Sequence, residues 1–94
     1  MKKSSYPNRI RQLRMEKDLT QRELASIVGY ESLSSFAQVE AGRKLPSLST
    51  ALKLEVALQR LVPDIFPQLY EKVRDRVAQR RKEVFERKEA RKNP

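Results

Sequence analysis

An all-α fold of five helices is the architecture this chain predicts, on three observations. Apolar residues recur at three- and four-residue intervals, with no convincing strand-like alternation. Glycine occurs only twice, at Gly29 and Gly42. Side chains able to cap a helix, Asn8, Thr20 and Ser32, stand at the head of amphipathic stretches.

The first helix is expected after Pro7 with Asn8 as its cap, presenting Ile10 and Leu13 inward and ending near Asp18, where Leu19 seals the junction. Thr20 and Glu23 then form a T-x-x-E capping box, so a second helix should run from Gln21 to Val28 and bury Leu24, Ala25 and Val28. Ala25 is small where two steeply crossing helices approach most closely, and Gly29 can take the left-handed conformation that ends the helix and turns the chain. Ser32 can cap a third helix, about Leu33 to Glu40, with Phe36 and Val39 on its inner face. A loop from Gly42 to Ser47 follows, and Pro46 delays the fourth helix to about Ser47 or Leu48. That helix carries Leu48, Ala51, Leu52, Leu54, Val56, Ala57 and Leu58. Apolar nearly all round, it calls for cover on both sides.

The cover should come from a long C-terminal helix, about Gln68 to Ala90, whose first half repeats Phe66, Leu69, Tyr70, Val73 and Val77 at helical spacing. From Arg80 onward only Val84 and Phe85 are large and apolar, and beyond Lys88 the charge density predicts fraying. No sustained heptad exists, because Arg80 and Arg87 interrupt the seam. The chain thus divides into an N-terminal arm (residues 1–7), a helix-turn-helix unit (8–60) and a C-terminal extension (61–94) packing on it.

Composition narrows the function classes. The 94 residues suffice for one small core. Lys and Arg number 21 against 12 Asp and Glu, a formal charge of +9 that favours a polyanionic partner through counterion release. No apolar run approaches the roughly 20 residues needed to span a bilayer. The start, MKKSSYP, lacks the apolar segment of a secretory signal, so cytoplasmic residence is expected. Without Cys or His the chain lacks thiolate metal ligands and the commonest acid/base group. Its carboxylates sit mostly among Lys and Arg in helical patterns, which reads as solvated ion pairing, so neither an enzyme nor a metal or cofactor site is expected. Three Tyr, three Phe and no Trp provide no platform for stacking single-stranded bases; Phe36 belongs to the core and Tyr30 covers the turn.

From Leu13 to Pro46 the chain resembles the lambda-repressor-like, Cro/XRE-type helix-turn-helix family of DNA-binding proteins. The resemblance covers roughly residues 8–60 and rests on Arg14, Gln21, Leu24-Ala25, Gly29, Val39-Glu40, Gly42 and Pro46 falling in one register. Two departures accompany it. The Gly29–Glu40 spacing is one residue longer than the commonest pattern, which places Glu31 in the turn, and Ala41 stands where the family often has Asn. The resemblance implies a five-helix DNA-binding domain in which Arg14 and Glu40 form a partly buried ion pair joining the first helix to the third.

It also implies a division of labour among exposed side chains. Ser32, Leu33, Ser34, Ala37 and Gln38 are the candidates to face the major groove, with Gln38 able to bond two edge atoms of an adenine. Gln21, Arg43 and Lys44 are the candidates for phosphates, joined by Arg9 and Arg11 from the first helix. Lys2 and Lys3 form either a groove-following arm or a solvated start. The C-terminal helix has three readings: a dimerisation element through Tyr70, Val73, Val77 and Val84, a further phosphate-binding surface, or a solvated extension. The first suits its beginning and the last its end. The expected function is that of a sequence-specific regulator of transcription, a repressor, binding double-stranded DNA as a homodimer on half-sites about one helical turn apart. The alternative is a protein-interaction module, an antitoxin or adaptor, that grips a partner protein with the C-terminal helix.

Overall fold

Local capping chemistry sets where each of the first helices starts and stops. In the computed structural model, which describes residues 5–92, α1 spans Ile10–Glu16, α2 Gln21–Ile27, α3 Leu33–Glu40, α4 Leu48–Leu58, α5 Val62–Ile65 and α6 Pro67–Lys92. No strand occurs among the described residues. Lys2 and Lys3 lie outside them.

At the start of α1 the Asn8 Oδ1 accepts the Ile10 N–H at 3.0 Å, although Arg9 holds the cap position and the helix opens at Ile10, one residue later than expected. The Thr20–Glu23 capping box is complete: the Glu23 N–H donates to Thr20 Oγ1 at 3.0 Å and the Thr20 N–H to Glu23 Oε1 at 2.8 Å. Ser32 and Ser47 accept the N–H groups of Ser35 and Thr50 at 3.3 and 3.2 Å. Each cap satisfies a donor that the helix itself leaves without a partner.

One device then ends α1, α2 and α3. A residue with positive φ, Asp18 (60°), Gly29 (79°) or Gly42 (78°), donates to a carbonyl three residues back. The next residue donates five back: Leu19 to Arg14 at 3.1 Å, Tyr30 to Ala25 at 2.9 Å and Arg43 to Gln38 at 2.9 Å. This is the Schellman closure, which occupies the last carbonyls and reverses the chain. It leaves α2 one residue shorter than expected, with Val28 as its C-cap.

The core gathers Ile10, Leu13, Leu24, Ala25, Val28, Phe36, Val39, Leu54, Leu58, Ile65 and Phe66, with Leu19, Tyr30, Leu33 and Leu69 packed at its edge. Burying a side chain such as Phe36 contributes about 1.5–3 kcal/mol. The Tyr30 ring meets Phe36 edge-on, with centroids 5.2 Å apart.

Three features differ from expectation. The connection after α4 contains a sixth, short helix, α5, because Pro63 is tolerated in a first turn and the Glu55 carboxylate accepts the Val62 N–H at 3.0 Å. Beyond Lys88 the chain remains helical to Lys92 instead of fraying. The expected cover for α4 is also missing: Leu48, Leu52 and Val56 are exposed, and so are Tyr70, Val73 and Val77 of α6. The physical reason is that α6 packs on α5 through its first turns and then leaves the domain. At 1.5 Å per residue its 26 residues extend about 39 Å, within a molecule 62 Å long.

Candidate nucleic-acid interface

The surface around α2 and α3 is built from the cap and closure positions outward. Ser34 and Gln38 project from α3 into solvent, and Ala37 beside them is half-exposed. Ser32 is exposed as well, but its hydroxyl is engaged twice, as acceptor from the Ser35 N–H and in a 2.9 Å contact with the Ser34 hydroxyl. Leu33 is drawn toward the core edge. Of the residues considered for base reading, Ser34, Ala37 and Gln38 therefore present the freest face.

The orientation of α3 is fixed from behind by charge. Arg14 Nε and Nη2 donate to the two carboxylate oxygens of Glu40 at 3.2 and 3.0 Å, and Nη1 donates to the Leu19 carbonyl at 2.7 Å. With side chains 12% and 6% exposed, both ions are largely removed from water, and paired donors and acceptors offset that desolvation. The clamp spans the first and last of the three helices and closes around the turn between α1 and α2.

Asn8 performs a related task that sequence reasoning missed. Its Nδ2 donates to the Val39 carbonyl at 3.0 Å and to the Tyr6 carbonyl at 3.2 Å, while the Tyr6 N–H donates to the Gly42 carbonyl at 2.8 Å. The segment before α1 is thereby tied to the end of α3. Nothing local in the sequence signals the bond to α3, because Val39 lies 31 residues from Asn8.

The charged candidates divide in two. Arg43 and Lys44 are exposed in the loop leaving α3, and Arg11 is exposed on α1. Arg9 is turned elsewhere: its guanidinium contacts the Asp64 carbonyl at 3.4 Å and Gln12 Oε1 at 3.3 Å, and its N–H donates to the Ile65 carbonyl. Gln21 is half-exposed at the head of α2, beside Glu23, whose carboxyl is held below the usual range chiefly by the Thr20 N–H and then by the Thr20 hydroxyl. Lys53 was not foreseen; it reaches from α4 to the turn, with Nζ 3.8 Å from where a Cβ on Gly29 would stand. With Lys44, Ser32, Ser35, Ser47 and Thr50 it lines a polar recess of about 550 Å³.

This is a helix-turn-helix arrangement, and the matching family model, Helix-turn-helix, covers residues 10–63. The chain belongs to that family, of the Cro/XRE type, and is a DNA-binding regulator of transcription with the lambda-repressor-like fold. Among solved structures it is similar to the restriction-modification controller protein C.AhdI from Aeromonas hydrophila. The two are 38% identical with a TM-score of 0.55 over 62% of this chain and 86% of the other. No curated protein sequence gives a match. Helix α6 begins beyond the last residue that the family model matches.

Proposed function

We propose that the protein is a sequence-specific repressor that reads double-stranded DNA with the outer face of α3. Gln38 is the principal reader, flanked by Ser34 and Ala37, with Ser32 and Leu33 at the N-terminal edge. Arg43 and Lys44 hold phosphates after α3; Gln21 does so before it, and Arg11 adds charge from α1. Arg9, bonded to α5, contributes least. The observation that carries the reading is the Gln38 side chain free on a helix whose rear is clamped by Arg14 and Glu40.

Binding takes place as a two-fold dimer, because one recognition helix reads too few base pairs for high specificity. The support is an exposed apolar face on α4, where Leu48, Leu52 and Val56 with Ile27 of α2 border a recess of about 590 Å³. The protein acts in the cytoplasm. Among the described residues no helix is long and apolar enough to cross a membrane.

Selection of bound fragments from random duplex DNA tests the reading and should return a two-fold symmetric site. On that site Gln38→Ala should flatten preference at one or two positions per half-site, costing about 1–3 kcal/mol there. Arg43→Ala should weaken all duplexes alike and shallow the salt dependence. The opposite pattern would reverse the assignment of reader and anchor.

A further inference from the structure

Helix α6 segregates its charges in a way that its composition hides. Successive residues of an α-helix turn by about 100°, so Val73, Val77 and Val84 fall within about 40° of one another and Phe85 about 80° from Val77. On the same scale Arg80, Arg81, Arg87, Lys88 and Arg91 all lie within about 80° of Val77, whereas Glu71, Asp75, Glu83, Glu86 and Glu89 all lie at least about 120° away. The face centred on Val77 is thus apolar and basic, and the acids lie outside it, the nearest being Glu89 about 40° beyond Phe85 at its edge. The four apolar side chains on that face remain 44–55% exposed. Arg81 and Lys88 stand over the Phe85 ring, at 4.5 and 5.5 Å from its centroid, instead of pairing with the helix's own acids. Among the described residues the helix has one ion pair, Arg74 with the adjacent Asp75 at 3.2 Å, and none of these cations takes part in it.

From this we propose that the distal half of α6 is a docking helix for an acidic, amphipathic helix of a partner protein, which would cover Val77, Val84 and Phe85 with apolar side chains and meet the flanking cations with carboxylates. Charge complementarity selects this occupant. A second copy of α6 would bring cations against cations, which costs association instead of aiding it. Phosphates alone would satisfy the cations and leave the valines and Phe85 in water. An exposed helix with an apolar stripe that its own domain does not cover is the form used in helix-in-groove recognition. The proposal is independent of the α3 reading, since α6 leaves the domain by way of α5.

The test uses the full chain and a labelled synthetic helical peptide with Leu along one stripe and Glu on both flanks, followed by fluorescence anisotropy. Two control peptides replace Glu by Lys, or Leu by Gln. The Leu/Glu peptide should bind, and binding should weaken with salt and fall at least about tenfold in Val84→Gln, Phe85→Ala and Arg81→Glu, the exposed positions leaving the melting temperature unchanged. Both control peptides should bind weakly or not at all. Equal binding of the Gln/Glu peptide would overturn the proposal by showing a charge effect alone. Random-sequence duplex DNA losing affinity in Val84→Gln and Phe85→Ala would reassign the face to nucleic acid, and capture by phosphatidylglycerol vesicles in preference to the peptide would reassign it to a lipid surface. Binding to the selected operator, measured in parallel, fails only if the α3 reading is wrong.

Discussion

Arg14 and Glu40 illustrate what a single pair of side chains must do in so small a domain. Neither is solvated enough to stand alone, and together they hold α3 at a fixed angle to α1. Glu40→Ala should destabilise the fold by about 2–4 kcal/mol, because Arg14 is then left with one carbonyl partner in a mostly dry site. Arg14→Ala should cost a similar amount, and the double variant less than the sum of the two. Thermal melts of the three proteins check this; unchanged midpoints in both single variants would show two independent charges. Both positions were legible in the sequence through the family register. Their second partner, the Leu19 carbonyl, was not, since it depends on how tightly the α1–α2 turn closes. Asn8 shows the same limit: its capping role could be read locally, whereas its bond to Val39 is made only after folding.

Among elements, the repeated closure of α1, α2 and α3 is the feature that sets the turn geometry, and it permits a paired experiment. Gly29 has φ +79° with only Lys53 Nζ near the missing Cβ, so a methyl group fits but the backbone opposes it. Gly29→Ala should therefore cost about 1–2 kcal/mol from left-handed strain alone. Asp18 adopts the same conformation with a side chain present, at φ 60°. Asp18→Gly should relieve strain while loosening the unfolded chain, and should raise stability by about 0.5 kcal/mol or leave it level. Denaturant midpoints decide it; a loss of stability in Asp18→Gly would mean that the aspartate side chain contributes more than its backbone costs. The glycines announced their turns in the sequence, because few other residues take that conformation readily. At Asp18 the end of the helix was legible but the left-handed backbone was not, and α5 was hidden because its first N–H is held by Glu55, on the preceding helix, which no short-range pattern reports.

At the scale of the whole molecule, the apolar periodicity of α4 and α6 was legible while the partner of each face was not. Periodicity states that a face is apolar, but proximity in sequence does not fix which face covers it. The chain instead inserts α5, sends α6 away, and leaves the outer face of α4 bare. A stable dimer buries about 1,200–2,000 Å². Val84 and Phe85 alone supply too little area for that, whereas Ile27, Leu48, Leu52 and Val56 form one surface on the domain body. The protein should therefore sediment as a dimer at micromolar concentration without DNA, and removal of residues 78–94 should leave most of the dimer intact. Leu52→Glu, a half-exposed position outside the core, should give a folded monomer that binds a full operator far more weakly than the dimer, because desolvating two facing carboxylates opposes association. If Leu52→Glu remains dimeric while the truncated chain becomes monomeric, the interface lies on α6, and its basic face must then be accommodated between two copies. A full-length protein that stays strictly monomeric would place pairing on the DNA itself, where neighbouring half-sites supply the proximity that the α4 faces alone do not.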